Sequence, residues 1–272
     1  MSRVPATLTR RRTRAAAVAG TFYPARRSDL EATVERLLDA AVPPSSSPAP
    51  KALIAPHAGY PYSGPIAASA FRCARALRDR VHRVVLVGPS HFVPFRGVAS
   101  SGAGAFATPL GEVEIDVEAD ALLATQADVV ELADAHGREH CLEVELPFLQ
   151  QVLDGFAIVP LVVGEASSED LARTLELLWG GDETLVVVSS DLSHYLDYRS
   201  ASRVDAATGR AIEALRWEEI EPDHACGAVA VRALLRVAQR RGLRATTLDL
   251  RNSGDTAGPR DAVVGYGAWA FA

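Results

Sequence analysis

Three polar segments each follow a short apolar run: Pro56-His57-Ala58-Gly59-Tyr60, Gly88-Pro89-Ser90-His91 and Ser189-Ser190-Asp191-Leu192-Ser193-His194. The runs have the length and β-branched content of strands, so each segment sits where a strand ends. In open α/β sheets, ligands bind outside the carboxyl ends of the strands. Neutral imidazole is the commonest protein metal ligand. One such histidine alone reads as a hydrogen-bonded structural residue. His57 and His91, a pair in matching contexts beside Gly and Pro, point to a metal ion.

Cys226 lies in His224-Ala225-Cys226-Gly227, just before an apolar helical stretch. A thiol at a helix N-terminus has a lowered pKa, and a thiolate would join two imidazoles as a third ligand for iron, copper or zinc. The same residue reads equally well as a buried apolar cysteine. His140, inside Arg138-Glu139-His140-Cys141-Leu142-Glu143-Val144-Glu145, suits a general acid–base or metal-supporting role, as do Asp191 and His194. The spacing of Asp191 and His194 predicts that they share one side of a helical turn, which Asp191 could otherwise simply cap. Cys73, in an Ala-rich helix, and Cys141 read as structural. The glycine-rich dinucleotide and phosphate loops and the nucleophile elbow are absent.

The elements that must position these residues alternate along the chain. Strands are expected over 52–55, 84–87, 157–163, 185–188, 246–250 and 263–271, and helices over 66–77, 143–153, 171–179, 201–215 and 228–239. A first helix is expected from Ser28, with Glu31 completing a capping box. The central strands are continuous apolar runs, the pattern of strands buried on both faces. The fold class is therefore α/β, a mostly parallel central sheet flanked by helices. The Pro/Ser-rich stretch 43–50 reads as a linker.

Composition narrows the function classes. The chain has 272 residues, a size that one α/β domain can fill. Its 34 acidic residues outnumber 28 basic ones, for a net charge of −6, which argues against a nucleic-acid partner. Three unpaired-looking cysteines suggest a reducing, cytoplasmic location. No run approaches the roughly 20 apolar residues of a membrane span. The five arginines Arg3, Arg10, Arg11, Arg12 and Arg14 precede an apolar stretch too short for a signal peptide. They read as a basic tail over 1–17, leaving one domain over 18–272.

Several segments together resemble the ordered motifs of the MEMO family, whose bacterial and archaeal members are often called AmmeMemoRadiSam system protein B. They are Ala19-Gly20-Thr21-Phe22-Tyr23-Pro24, the three strand-end segments, Glu139-His140-Cys141-Leu142-Glu143, Ala225-Cys226-Gly227 and Gly265-Tyr266-Gly267. The resemblance runs over nearly the whole chain after about residue 17. It implies a fold like that of the class III extradiol dioxygenases of the LigB type, which bind non-haem Fe(II) through two His and one Glu. Carried over, the ligands would be His57, His91 and Cys226, with Asp191, His194 and His140 as further pocket residues. The implied metal is Fe(II) first, copper next and zinc last. The implied partner is a small-molecule or peptide ligand, since the eukaryotic member binds phosphotyrosine peptides, and the bacterial name suggests a functional link to a radical-SAM protein. Cys141 departs from the family, where Ser is more usual. The resulting expectation is a metal-dependent redox protein with a dioxygenase-like pocket. The alternatives are a non-catalytic binding module and, more weakly, a hydrolase using metal-bound water. Cys226 in place of a carboxylate means that catechol cleavage does not follow from the fold.

Overall fold

The computed structural model describes residues 12–42 and 49–272. In chain order the elements begin with β1 (Thr13–Arg14), α1 (Arg27–Ala40), β2 (Ala52–Ala55), α2 (Tyr60–Ala74) and β3 (Arg83–Pro89). A peripheral stretch follows: β4 (Val98–Ser100), β5 (Ala105–Thr108), β6 (Gly111–Glu114), α3 (Val117–Leu123), β7 (Val129–Glu131) and α4 (Ala133–Gly137). Then come α5 (Leu146–Val152), β8 (Ala157–Val163), α6 (Ser168–Leu177), β9 (Thr184–Ser189), β10 (His194–Leu196), α7 (Tyr198–Glu213), α8 (Ala228–Arg241), β11 (Ala245–Asn252) and β12 (Val263–Phe271).

The main sheet runs β10-β12-β2-β9-β3-β8-β4-β7, with β11 also paired to β12. Its centre, β2-β9-β3-β8, is parallel. Antiparallel pairs flank it, β12 against β2 on one side and β4 against β8 on the other. The continuous apolar strands supply both faces by alternation. Leu53, Val84, Leu86, Leu185 and Val187 pack on one side with α1, α2 and α5. Ile54, Val85, Val87, Val186 and Val188 pack on the other with α6, α7 and α8. Among the described residues, no helix is long and apolar enough to cross a membrane.

The structure corrects three sequence expectations here. First, α1 starts at Arg27 and its N-cap, Arg26, makes no side-chain capping bond. Ser28 donates instead to Asp29, and Glu31 pairs with Arg27. A cap is worth about 1 kcal/mol. Burial of Leu30, Val34, Leu37 and Leu38 contributes roughly 1.5–3 kcal/mol per side chain, so the buried face sets this helix. Second, the domain begins before residue 18. Strand β1 pairs with β5, and the buried Arg14 guanidinium bonds Glu143. That same carboxylate accepts the Ala17 and Val18 N–H groups and the Tyr23 hydroxyl. The rest of the expected tail, residues 1–11, and most of the expected linker, 43–48, lie outside the described residues. Third, no helical turn joins Asp191 to His194. Leu192 N–H donates to Gly265 O and Gly265 N–H to Ser193 O, so the segment is extended and leads into β10.

Candidate metal centre

Strands β2, β9 and β3 are adjacent and parallel, so their carboxyl ends deliver His57, Asp191 and His91 to one edge. His57 and His91 leave strands separated by β9, which puts their backbones about 10 Å apart. Their side chains lean together until the ring centroids are 5.2 Å apart, edge to face.

Each imidazole is held through its Nδ1. His91 Nδ1 lies 2.8 Å from Glu139 Oε1, and its main-chain N–H donates to Glu139 Oε2 at 2.7 Å. Burial alone would raise the Glu139 pKa, but these bonds from His91 and that from the Cys141 N–H outweigh it and hold the carboxyl down at about 2. The carboxylate is thus an acceptor only, and His91 Nδ1 must donate. His57 is almost fully buried, its Nδ1 2.8 Å from Ser189 Oγ and its main-chain N–H on Asp191 Oδ1 at 2.8 Å. Burial, with His91 close by, lowers its pKa to about 3, so it is neutral at physiological pH.

Cys226 closes the group. Its Sγ is 3.3 Å from His57 Nε2. One ligand atom each from His57, His91 and Cys226 all lie within 4.8 Å of one another. Ligands of one tetrahedral ion sit roughly 3.3–3.8 Å apart, given metal–nitrogen and metal–sulfur bonds of about 2.0–2.3 Å, so small rotamer adjustments would gather all three on one ion. The donor set, two neutral imidazoles and a sulfur, fits iron, copper or zinc. The sequence expectation of a thiol activated by the start of α8 is corrected. Burial, reinforced by the Asp191 carboxylate, pushes the Cys226 pKa up to about 12. The helix end and the Asp191 N–H, 3.3 Å from Sγ, do not offset this in the protein without metal.

Two glycines permit the approach of these segments. A side chain at Gly227 would meet Ser190 Cβ at 2.8 Å, and the Gly227 N–H donates to Ser190 Oγ. A side chain at Gly88 would meet Cys141 Sγ at 2.6 Å. That contact seats the 139–142 segment against the end of β3, where Glu139 reaches His91.

Of the predicted acid–base residues, Asp191 and His140 join the group directly. The buried Asp191 carboxyl has its pKa raised to about 6, chiefly by burial and despite the His57 N–H bond. His140 stacks on His91 with centroids 4.7 Å apart and packs against Phe22 at 4.8 Å. Burial, with His57 beside it, lowers its pKa to about 4. His194 stands further out on β10, its ring 5.7 Å from the exposed Tyr195 ring. No hydrogen bond among the described residues ties the His194 ring to the other site side chains. A second combination of possible ligands, His91, Glu139 and His140, also falls within 4.8 Å. However, Glu139 Oε1 already accepts from His91 Nδ1, His140 N–H and Cys141 N–H, and the carboxylate is better described as an orienting group.

Glu139, Ser189 and Glu145 were not singled out from sequence. Glu139 was visible as a charge beside His140, but nothing in the spacing shows that it folds back onto a histidine 48 residues away. Beside Cys226 lies a cavity of about 510 Å³ lined by Ser90, Val93, Phe95, Val163 and Val229.

A family model described as Memo-like protein matches residues 14–270. Among curated relatives, a "MEMO1 family protein" from Aeropyrum pernix is 37% identical, covering 92% of this chain and 96% of its own. One from Aquifex aeolicus is 35% identical over 94% of this chain and 97% of its own. One from Thermotoga maritima is 36% identical over 92% and 96%.

Proposed function

The chain belongs to the Memo-like family, and from that premise we propose that it is a metal-dependent redox protein whose ion is held by His57, His91 and Cys226. The observation that carries this reading is the convergence of one nitrogen or sulfur from each residue within 4.8 Å, with both imidazoles anchored through Nδ1. Fe(II) is the first choice and copper the second, because an N₂S set with open positions suits a redox-active ion. Bound there, the ion would supply one-electron chemistry and vacant positions for small ligands. The protein's own groups handle protons. Asp191, with its pKa at about 6 and its carboxyl on the His57 N–H, can hold or release a proton near neutrality. His140 is a neutral base stacked on His91, and His194 faces the same edge from β10. The cavity beside Cys226 is of the size of metabolite sites, which supports a small-molecule ligand. The kinship with extradiol dioxygenases that the motif resemblance implies supports oxygen-dependent chemistry. The sulfur ligand, softer and itself oxidisable, weighs against ordinary ring cleavage.

A second reading, a non-catalytic module that binds a metal or peptide in the same pocket, draws on one observation. The exposed Phe92 ring stands 5.9 Å from His140 with the Arg138 guanidinium over it, as a surface for a partner would. The test is to purify the protein anaerobically, assay its metal, load Fe(II), and follow O₂ uptake with a panel of catechols. Metal retained by wild type and lost from the His57→Ala/His91→Ala double variant supports the ligand assignment. Equal metal content in the two rejects it. O₂ uptake no greater than that of the variant favours the module.

A further inference from the structure

Beneath His57 lies a carboxyl group that the metal chemistry does not use. Glu145 is completely buried, its Oε1 2.7 Å from Ser189 Oγ and its Oε2 without a hydrogen-bond partner among the described residues. Ser189 Oγ makes two further contacts, 2.7 Å to Cys141 O and 2.8 Å to His57 Nδ1. A serine hydroxyl has one hydrogen to give and two lone pairs to receive. Three partners at these distances therefore require one bond given and two received. The Cys141 carbonyl cannot donate, so it takes the Ser189 hydrogen. The other two partners must donate to Ser189.

We propose that Glu145 is a neutral carboxylic acid whose O–H donates to Ser189, and that this bond fixes His57 as the Nδ1–H tautomer with its Nε2 lone pair facing Cys226. Glu145 is thus a positioning residue. The environment agrees with the hydrogen count. Tyr60, Cys141 and Asp191 stand near it and supply no positive charge. Burial, with Asp191 adding to it, outweighs the opposing Ser189 contact and raises its pKa well above the carboxylate range. A bare carbonyl oxygen is also far cheaper to leave unpartnered in the core than one oxygen of a carboxylate anion. The two histidines then reach one tautomer by opposite devices: His91 donates to an ionised Glu139, and His57 to a serine backed by a neutral acid. The consequence for ligation rests on the metal reading above. The protonation state and tautomer do not, and they are tested on protein without metal.

The experiment uses the full chain, metal-free, with ¹³C-labelled glutamate carboxyls and ¹⁵N-labelled histidine. At pH 8 we expect one glutamate carboxyl carbon at its protonated shift, matched by a carboxylic-acid infrared band. Glu145→Gln should remove both signals. Its side-chain amide still donates to Ser189, so His57 should remain Nδ1–H in that variant. Glu145→Leu deletes the donor, leaves the Ser189 hydroxyl free to turn its hydrogen from Cys141 O to His57 Nδ1, and should mix the His57 tautomers. A wild-type spectrum with every glutamate ionised at pH 8 overturns the proposal whatever the variants do. So does a protonated signal that survives in Glu145→Gln, or a His57 that carries its hydrogen on Nε2. None of these readouts depends on a metal, so the ligand assignment stands or falls separately.

Discussion

Metal uptake should release one proton, and the site's own groups say which. His57, with its pKa at about 3, is already neutral at pH 7, so it gives up nothing on ligation. His91 gives its Nδ1–H to Glu139, which is ionised with a pKa of about 2, so Nε2 is the nitrogen left to face the ion. Cys226 is the exception. Burial holds its thiol up at about 12, yet only the thiolate binds a metal. Ligation therefore expels the thiol proton, and apparent affinity rises tenfold per pH unit as long as the pH stays below the thiol's own pKa. From about pH 7 to about pH 8.5, above the Asp191 pKa of about 6, the gain is about 30-fold, or about 2 kcal/mol at 1.36 kcal/mol per unit. The assay is Co²⁺ titration against a competing chelator. The sulfur-to-metal charge-transfer band reports Cys226, and calorimetry in buffers of different ionisation enthalpy counts the proton. Cys226→Ser should abolish the band and flatten the pH dependence. A pH-independent affinity in wild type, or a release of two protons, would refute this reasoning. The first would mean a thiol already ionised or not a ligand, the second that a further group of the site loses a proton with the thiol.

Other consequences can be checked with single variants. Glu139→Gln places an amide N–H where the carboxylate now accepts from His91, and Co²⁺ affinity should fall ten- to a hundred-fold. The Asp191 carboxyl is held at about 6 against an ordinary 3.8. With the folded pKa raised, its contribution to stability is greatest below pH 4 and declines as pH rises through 6. Asp191→Asn, which keeps an acceptor for the His57 N–H, should therefore gain on wild type by on the order of 2–3 kcal/mol at pH 8 and little at pH 4, by urea denaturation of the metal-free protein. Gly88→Ala drives a methyl onto Cys141 Sγ and should cost about 1–3 kcal/mol, read as a lower melting temperature. Arg14→Ala leaves the buried Glu143 carboxylate without its cation and should cost about 3–5 kcal/mol. The same loss from deleting residues 1–11 instead would refute the assignment of that stability to Arg14.

The parallel core and its ligand edge were legible in sequence because they rest on local, repeated signals. Strands 52–55, 157–163 and 263–271 were read with the bounds the structure has. Long β-branched runs mean strands whatever surrounds them, and a polar residue just after such a run must emerge at its carboxyl end. The short outer elements β4 to β7, α3, α4 and β10 escaped, since pieces of three to seven residues carry too little periodicity to register. The Asp191–His194 turn was misread for a related reason. Spacing of three is compatible with a helix, but β12 offers hydrogen-bond partners that the extended form can reach, at Gly265.

The sequence by itself determined that His57, His91 and Asp191 would share one edge of a buried sheet. The family motifs also pointed to Cys226 as their companion. Only the tertiary structure decided what each group is chemically. Whether a thiol beside a helix start is activated depends on its burial, and here burial wins. Which nitrogen of each histidine faces the pocket depends on Glu139 and on Ser189 with Glu145, residues up to 132 positions away. Such partners are set by how loops fold across strand ends. Protonation and tautomer follow from desolvation and hydrogen-bond counting in three dimensions, for which residue order along the chain holds no local signal.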